Sequence, residues 1–376
     1  MSAHKVVRFA EVGSVIAGQH IEAAHYNRTN DGVAYLTGPD DFGAIEPIVT
    51  KWTNCPKVMA KQTDVLLTVK GAGVGKSNLS TNAAIGRQLM ALRPNESRLN
   101  QKYLFRLIQS LESEISRLAK GATVPGIPKP AIERLEIPLP PLSEQKRIAD
   151  ILDKADAIRR KRQEAVSMVE SELLRSTFRE RLGDPITNPW GWQVRQLGDV
   201  INFIGGSQPP KTTFVNHPQA GYVRLIQIRD FKTDKYPTYI PKQHAKRPFS
   251  KDDVMIARYG PPVFQILRGL EGTYNVALMK AENTEHTTKD FIFYLLQIHE
   301  IHDVVVANSQ RTAGQSGTNL TLLKGLQVPI PPVEKQNEIT SVLKSIEKYV
   351  ASAREAFAEA NLLFNTLTQR AFNGEL

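Results

Sequence analysis

One segment of the 376-residue sequence has the composition of a phosphate-binding loop. It runs from Lys70 to Ser77 and reads Lys-Gly-Ala-Gly-Val-Gly-Lys-Ser. A P-loop requires a glycine, four further residues and then Gly-Lys-Ser/Thr, so that backbone amides and the lysine surround the phosphates of a nucleotide. Because Lys70 stands where the first glycine is required, the sequence favours a glycine turn after a strand, with Lys70 and Lys76 facing the phosphates of a nucleic acid. An NTP-hydrolysing enzyme built on Gly71 to Ser77 is the alternative.

The sequence motifs of other enzyme classes are absent or incomplete. An adenine methyltransferase needs Asn/Asp-Pro-Pro-Tyr/Phe to hold a flipped base, and neither Asn188-Pro189-Trp190 nor Gly260-Pro261-Pro262 fits. For a nuclease, Pro39-Asp40 is far in sequence from the nearest Glu-x-Lys, which begins at Glu144. The histidines are scattered along the chain and predict no metal site. We therefore predict no catalytic, cofactor-binding or metal-binding residue in this chain.

An excess of basic residues gives the chain a formal net charge of +10. There are 48 lysines and arginines against 38 aspartates and glutamates, an excess that suits a polyanionic partner such as nucleic acid. No apolar run approaches the ~18 residues of a membrane span. The segment from Met1 to Arg8 has no apolar signal core, so we expect a cytoplasmic protein. The single cysteine, Cys55, excludes an internal disulfide.

The elements that must position these side chains come from a tandem repeat. The repeat is clearest where an apolar segment broken by prolines leads into a helical pattern. At a constant offset of 191, the residues Leu135, Pro138, Pro140, Pro141, Gln145, Ile148 and Leu152 recur as Leu326, Pro329, Pro331, Pro332, Gln336, Ile339 and Leu343.

The pattern that follows the prolines predicts two long helices. Ser143 is the expected N-cap of the first. Its apolar face contains Ile148, Ile151, Leu152, Ala155 and Ile158. The second has a seven-residue rhythm of apolar positions that includes Ile339, Val342, Ile346, Ala353, Leu363 and Leu367. Such a seam requires a partner helix, and the two helices can cover each other as an antiparallel coiled coil.

The part of the chain before each proline segment is also repeated. Phe9, Val12, Ile16 and Gly18 match Leu197, Val200, Ile204 and Gly206, and Asp41 matches Asp230. The best match, Asp64, Val65, Gly71 and Val74 with Asp253, Val254, Gly260 and Val263, predicts equivalent strands at 64–69 and 253–258. Further strands are expected at 33–36 and 222–228, and helices at 102–118 and 289–302.

These patterns predict an α+β fold made by duplication. Two similar mixed α/β domains are expected at residues 1–141 and 184–332, separated by the long antiparallel helices at 142–183 and 333–376. An approximate two-fold axis should relate the two halves.

The repeated motif resembles the specificity (S) subunits of type I restriction-modification enzymes, the HsdS family. The resemblance lies in Ile137-Pro138-Leu139-Pro140-Pro141-Leu142-Ser143-Glu144-Gln145-Lys146-Arg147-Ile148 with its second copy, in Gly191-Trp192, and in Leu197-Gly198-Asp199-Val200. It covers essentially the whole chain. The second copy departs from the pattern at Val333-Glu334-Lys335.

The resemblance implies a DNA-recognition subunit that is not itself an enzyme. In that family each globular domain is a target recognition domain that reads one half of a bipartite site in double-stranded DNA. The helices are conserved spacer regions that set the gap and dock two methyltransferase (M) subunits, and two restriction (R) subunits complete the expected complex. S-adenosylmethionine, ATP and Mg²⁺ are used by those partners, and we expect no cofactor on this chain.

Hydrogen-bonding chemistry and loop position select the candidate DNA contacts. In the major groove Arg and Lys bond guanine, and Asn and Gln bond adenine. The candidates are Lys70, Lys76 and Arg87 in the first domain, and Lys211, Gln227, Arg229, Arg258, Tyr259, Gln310 and Arg311 in the second. A DNA-recognition adaptor for a methyltransferase of another defence system would have the same two-reader frame, and co-purified partners would distinguish it.

Overall fold

A computed structural model of the chain describes residues 4–71, 73–119, 126–168, 173–260, 262–312 and 315–376. The chain divides into two units according to its internal contacts. Unit 1 consists of Met1–Gln163 with Glu355–Leu376, and unit 2 of Glu164–Arg354. Each unit therefore contains one globular part together with segments of both long helices. The division into four segments at residues 141, 183 and 332 stays a prediction.

Unit 1 contains two four-stranded sheets and a two-stranded ribbon. Its strands are β1 (Val6–Arg8), β2 (Gly13–Ala17), β3 (Val33–Leu36), β4 (Trp52–Thr53), β5 (Met59–Ala60), β6 (Val65–Thr68), β7 (Ser77–Leu79), β8 (Ala83–Ile85), β9 (Leu89–Pro94) and β10 (Glu136–Pro138). Its helices are α1 (Gln101–Ser110), α2 (Glu112–Arg117), α3 (Lys129–Glu133) and the start of α4 (Leu142–Met168). The sheet orders are β2-β9-β6-β7 and β4-β3-β8-β5, and β1 pairs with β10.

Unit 2 repeats the two four-stranded sheets and the two-stranded ribbon of unit 1 and adds one further pair of strands. Its strands are β11 (Gln193–Gln196), β12 (Ile201–Gly205), β13 (Tyr222–Ile226), β14 (Tyr239–Pro241), β15 (Pro248–Phe249), β16 (Val254–Ala257), β17 (Ile266–Leu267), β18 (Gly272–Tyr274), β19 (Leu278–Asn283), β20 (Gln310–Thr312), β21 (Gln315–Gly317) and β22 (Gln327–Ile330). Its helices are α5 (Leu174–Leu182), α6 (Leu197–Val200), α7 (Lys289–Leu295), α8 (His299–Ala307), α9 (Leu320–Gly325) and the start of α10 (Val333–Phe372).

The strand pairing confirms the duplication predicted from the sequence. The sheets of unit 2 have the orders β12-β19-β16-β17 and β14-β13-β18-β15, and β11 pairs with β22. In both units one neighbouring pair is parallel, β3 with β8 and β13 with β18. The pair β20-β21 is an addition to unit 2 among the described residues.

The strands β6 and β16, each central in its four-stranded sheet, are buried on both faces. Val65 and Leu67 of β6 belong to the core that includes α1, whereas Leu66 faces the core of the second sheet. In β16, Met255 is likewise separated from its two neighbours along the strand. Successive side chains of a strand point to opposite faces. In each unit a helix therefore covers one face of the sheet that contains β6 or β16, and the other four-stranded sheet covers the opposite face.

Both predicted helices before the proline segments are interrupted. The predicted helix at 102–118 forms as α1 and α2, with Leu111 between them at φ −92° and ψ 6°. The helix predicted at 289–302 forms as α7 and α8, and extended backbone at Ile298 precedes the second. Apolar periodicity continues across both breaks, so it does not mark them.

Within each unit the start of one long helix lies antiparallel to the end of the other. In unit 1, Arg147 donates to the carbonyl of Leu376 at 2.8 Å, and the guanidinium of Arg159 lies 5.3 Å from the ring centroid of Phe364. In unit 2, Leu174, Phe178 and Leu182 of α5 share a core with Ile339, Leu343 and Ile346 of α10. Arg181 near the end of α5 lies 4.0 Å from Glu338 near the start of α10. The antiparallel coiled-coil prediction is confirmed at both ends.

The apolar seam of α10 differs in phase from the predicted one. Leu363 is 56% exposed, and so is Ile158 of α4 at 53%. The buried or half-buried stripe of α10 is Ile339, Leu343, Ile346, Val350, Ala353, Phe357, Ala360, Phe364, Leu367 and Ala371. The second apolar position of each heptad therefore follows the first by four residues rather than three. The exposure of Leu363 and of Ile158 corrects their assignment to the seam, and the half-buried Val342 lies beside the stripe.

The start of α4 also corrects the predicted cap. The helix begins at Leu142, so Ser143 lies inside its first turn. On α4, Ile148 and Leu152 are buried, and Ile151 and Ala155 are half-buried.

Candidate nucleic-acid interface

Four strands of unit 2 end at one edge of the globular part. β13 and β18 are parallel and end in register, with Ile226 opposite Tyr274. β12 and β16 both end beside the start of β19, because Gly205 pairs with Met279 and Ala257 with Leu278. Only residues 275–277 separate β18 from β19. We call the loops that leave these four strand ends the strand-end edge of unit 2.

Unit 1 builds the same edge from the equivalent strands. β3 and β8 end in register, with Leu36 opposite Ile85. β2 and β6 end at the start of β9, where Ala17 pairs with Met90 and Thr68 with Leu89. The strand-end edge of unit 1 is therefore formed by the loops after β2, β3, β6 and β8.

The repeated glycines Gly18 and Gly206 are required at these edges. A Cβ atom on Gly18 would collide with the carbonyl oxygen of Gly86, and one on Gly206 with that of Asn275. The chain leaves the first strand of each sheet in direct backbone contact with the loop after β8 or β18. Only glycine allows so close an approach.

The glycine-rich segment after β6 is the turn of a β-hairpin. Ser77 begins strand β7, where a P-loop would begin a helix. The amides of the turn bond within it, because Val74 N donates to Gly71 O, Gly75 N to Thr68 O and Lys76 N to Gly73 O. Those amides cannot surround a phosphate, and the alternative of an NTP-hydrolysing enzyme is not favoured.

The three candidates of the first domain meet at the strand-end edge of unit 1. Lys70 follows β6 and is exposed. Lys76 is exposed across the hairpin, where its carbonyl accepts from Thr68 N at 2.8 Å. Arg87 is exposed in the loop after β8, beside Gln88, whose carbonyl accepts from Val69 N at 2.8 Å. The structure places three cations around one loop junction.

Four candidates of the second domain lie at the strand-end edge of unit 2. Gln227 follows β13 directly, and Arg229 lies in the turn Ile228–Phe231. Arg258 and Tyr259 follow β16, and the Arg258 guanidinium lies 5.2 Å from the Tyr259 ring centroid. The backbone of Tyr259 forms a bridge with Gly317 of β21, which brings the β20-β21 ribbon to the same edge.

The remaining candidates are less defined. Lys211 is exposed in a single turn, Lys211–Thr213, after β12. The backbone of Gln310 and Arg311 belongs to β20 and pairs with Gly317 and Ser316. Their side chains lie outside the described part of the structure. None of the ten candidates is thereby shown to contact DNA, and their roles stay predictions.

An open groove of about 680 Å³ adjoins Arg229 in unit 2. Sequence reasoning missed three of its lining residues, His217, Lys235 and Tyr236. The Lys235 ammonium lies 5.3 Å from the centroid of the Tyr236 ring. A cation next to an aromatic face is suited to a phosphate with its neighbouring base. The loop between β13 and β14, which is rich in basic and aromatic residues, was the available signal for Lys235 and Tyr236, whereas His217 lies in the segment before β13.

A buried aspartate lies behind each strand-end edge, and the two titrate differently. Asp41 is 3% exposed and Asp230 is 4% exposed. Burial raises the pKa of Asp41, but hydrogen bonds from Thr37 and the ion pair with Lys51 outweigh it, so its pKa lies below the ordinary value. Burial also raises the pKa of Asp230, and here the hydrogen bond from Gln227 N does not outweigh it.

Residues 1–168 and 189–358 match the family model described as type I restriction modification DNA specificity domain. The chain belongs to this family. The two matched segments are the two copies of the repeat.

Individual members of the specificity family show partial identity over long alignments. A Methanocaldococcus jannaschii protein provisionally named the MjaX type I restriction enzyme specificity subunit is 32% identical over 164 residues, which are 43% of this chain and 38% of that protein. The MjaVIII type I restriction enzyme specificity subunit of the same organism is 21% identical over 333 residues, 80% of this chain and 76% of that protein.

A solved structure shares the fold of this specificity-family chain. The S subunit of a type I restriction-modification system from M. genitalium superposes with a TM-score of 0.62 at 15% identity, covering 98% of this chain and 96% of that one. Among the described residues of the present chain, no helix is long and apolar enough to cross a membrane, and no group of three His, Cys, Asp or Glu could hold a metal ion.

Proposed function

We propose that this chain is the DNA-recognition subunit of a type I restriction-modification complex, in which each globular part reads one half of a bipartite site. One observation carries the proposal: the same strand-end edge is built twice from the same strand order, yet it presents different side chains. Unit 1 presents Lys70 and Arg87, whereas unit 2 presents Gln227 and Arg258. One frame with two different sets of side chains suits a site whose halves differ in sequence.

The chemistry of the edges suits recognition of duplex DNA. Arginine and lysine donate to guanine O6 and N7, and a glutamine amide pairs with adenine N6 and N7. The net charge of +10 supports the phosphate contacts that supply most non-specific affinity. The ten candidates are the DNA-contacting side chains of this proposal.

The long helices supply the spacing and the docking surface. Both α4 and α10 cross the boundary between the units. Two copies of the same helical pattern offer similar surfaces to two methyltransferase subunits, and restriction subunits join that complex. Adenine methylation from S-adenosylmethionine, and cleavage that uses ATP and Mg²⁺, belong to those partners. This chain contributes recognition and no catalytic residue.

The test is to express the chain with its methyltransferase partner and to sequence the methylated adenines of the host DNA. We expect one bipartite motif with a fixed number of unread base pairs. Arg258→Ala should reduce about tenfold the methylation of sites that carry the base pair read by Arg258 in one half-site. A bidentate arginine contact is worth about 1–3 kcal/mol.

Lys251→Ala is the matched control for Arg258→Ala. Lys251 is exposed near the opposite end of the same strand, with its ammonium 3.7 Å from Glu271, and its loss should leave the motif unchanged. Methylation without a bipartite motif would refute the proposed function. An unchanged motif and rate with Arg258→Ala would remove that residue alone from the interface.

A further inference from the structure

The two units differ at one position that the strand pairing identifies as equivalent. In unit 1, Tyr35 N of β3 donates to the carbonyl of Lys51, and in unit 2, Leu225 N of β13 donates to the carbonyl of Thr238, both at 2.8 Å. Tyr35 and Leu225 each precede the last residue of their strand. Lys51 and Thr238 therefore occupy the same place beside the strand-end edge.

In unit 1 this place holds a cation that saturates the buried aspartate. Lys51 Nζ lies 3.2 Å from Asp41 Oδ1 and donates to Thr37 Oγ1 at 2.9 Å. Asp41 Oδ2 accepts from Thr37 N at 2.6 Å and from Thr37 Oγ1 at 2.7 Å. The polar groups of this cluster therefore bond one another, and Lys51 Nζ is directed at Asp41 and Thr37.

In unit 2 the threonine instead bonds two side chains of the strand-end edge. Thr238 is 7% exposed, and its hydroxyl accepts from Gln227 Nε2 at 3.2 Å and from Arg229 Nη2 at 3.4 Å. Asp230 Oδ2 accepts from Gln227 N at 2.7 Å, while the buried Asp230 Oδ1 has no hydrogen-bond partner among the described residues. One buried hydroxyl thus joins the two side chains with base-reading chemistry.

We propose that Thr238 is a positioning residue that holds Gln227 and Arg229 as one reading pair for the half-site recognised by unit 2. This inference rests on the proposed function. The Thr238 hydroxyl accepts one hydrogen from each partner, and the Tyr236 carbonyl accepts another from Arg229 Nη2 at 3.5 Å. Gln227 Oε1 with the second Nε2 hydrogen, and Nε and Nη1 of Arg229, are left for base edges. A glutamine amide selects adenine and a guanidinium selects guanine.

Two consequences follow for the DNA site. Gln227 and Arg229 are two residues apart on one turn, so they should read neighbouring base pairs, one A·T and one G·C. Fixing both side chains before binding lowers the entropic cost of binding. Unit 1 has no equivalent pair, because Gly38 and Asp40 stand before Asp41 where Gln227 and Arg229 stand before Asp230.

The experiment compares Thr238→Val with Thr238→Ser in the complex with the methyltransferase. Each complex methylates a duplex library in which the half-site of unit 2 is randomised while the other half-site is kept, and a second library with the reverse design. Valine keeps the shape and the backbone bond to Leu225 but removes the hydroxyl. Serine keeps the hydroxyl.

We expect Thr238→Val to lose about tenfold discrimination at two neighbouring positions of one half-site, with the other half-site read as in the wild type. Thr238→Ser should restore most of the discrimination. Thr238→Ala also lacks the hydroxyl and should show the same loss of discrimination. It replaces Thr238→Val if valine disturbs the packing. The half-site of unit 1 is the internal control for folding and assembly.

Unchanged base preferences in both hydroxyl-free variants would overturn the positioning role. So would an equal loss at both half-sites in all three variants, because that pattern marks a structural effect. Failure of the proposed function looks different, since the wild-type complex itself would then show no bipartite preference.

Discussion

Two buried aspartates at matching positions of the repeat have opposite effects on stability. The pKa of Asp41 is lowered in the folded chain, so its contribution to stability is present above the pKa of the unfolded state and is lost as pH falls through the folded pKa. The pKa of Asp230 is raised by burial. Its contribution is therefore present below the unfolded pKa and is lost as pH rises through the folded pKa.

Replacing each aspartate by asparagine should separate these effects at neutral pH. Asp230→Asn keeps an acceptor for Gln227 N and removes a buried charge with an unpartnered oxygen, so it should stabilise unit 2 by about 1 kcal/mol. Asp41→Asn breaks the pair with Lys51 and should destabilise unit 1 by about 1–3 kcal/mol. Thermal unfolding with amide exchange resolved by unit measures both.

The pH dependence provides the control for this pair. Below about pH 4, where a free aspartate is protonated, the gain from Asp230→Asn should vanish, because Asp230 is then neutral in the folded chain as well. A loss of stability in both variants at pH 7 would contradict the assignment of Asp230 as the destabilised carboxylate.

At the residue scale the sequence predicted the positions of candidate side chains better than their hydrogen-bond partners. The types and loop positions of Lys70, Arg87 and Gln227 were enough to bring them to the strand-end edges. The pairing of Lys51 with Thr238 could not be found in that way. Their offset differs from that of Asp41 and Asp230 because the intervening loops differ in length, and only the hydrogen bonds of β3 and β13 establish the equivalence.

The repeated glutamine after each proline pair anchors a long helix to its globular part. Gln145 Nε2 donates to Pro140 O at 2.8 Å and Arg98 O at 2.9 Å, and its Oε1 accepts from Asn100 N at 2.8 Å. Gln336 makes the same three contacts, with Pro331 O, His286 O and Thr288 N. Asn100 and Thr288 are the N-caps of α1 and α7, so each glutamine joins two helix starts.

Each glutamine should therefore stabilise its own unit. Both glutamines are fully buried. Truncation to alanine removes the partner of three backbone groups in each unit, one from a buried hydrogen bond and two from part-buried ones. At about 1–3 kcal/mol for each such group, before water enters, we expect a loss of at least about 2 kcal/mol. Amide exchange should accelerate at residues 100–104 in Gln145→Ala and at 288–292 in Gln336→Ala. Each variant is the control for the other, and equal acceleration in both units would contradict a local anchor.

At the element scale, the strands predicted at 33–36, 64–69, 222–228 and 253–258 followed from the sequence, whereas the face of the long helix did not. Val342 and Leu363 are as apolar as Leu343 and Phe364, so periodicity alone allows either pair to form the seam. The choice depends on the packing partner. Phe364 lies within cation-π distance of Arg106 and Arg159, and neither contact is visible in the helix's own sequence.

One ion pair occurs at the same place in both repeats, but with its acidic and basic residues exchanged. In unit 1, Lys102 of α1 lies 3.1 Å from Asp153 of α4. In unit 2, Asp290 of α7 lies 2.5 Å from Lys344 of α10. Both pairs follow the same helix cap and the same glutamine anchor. Comparison of residue types alone would miss this equivalence, because each position has reversed its charge.

At the scale of the whole molecule, neither half of the duplication completes a unit alone. Unit 1 needs the end of α10, where Phe372 lies with its ring centroid 5.5 Å from that of Tyr103. Unit 2 needs α5 from the first copy, where the Phe178 ring centroid is 5.6 Å from that of Phe291. The sequence predicted that the two long helices pair, because each copy ends in a helix whose apolar stripe requires a partner. That the end of each helix also packs into the core of the other copy was not predicted.

The same exchange makes the spacing between half-sites adjustable. Seven residues inserted after Gln163 and seven after Arg354 preserve the heptad phase of both helices and lengthen each by about 10 Å at about 1.5 Å per residue. DNA rises about 3.4 Å per base pair, so the methylated motif should keep both half-sites and gain about three unread base pairs. Insertion into α10 alone is the control and should lower the unfolding temperature, because its partner helix is then too short. Sequencing of methylated adenines measures the spacer, and an unchanged spacer in a folded double-insertion variant would show that the helices do not set it.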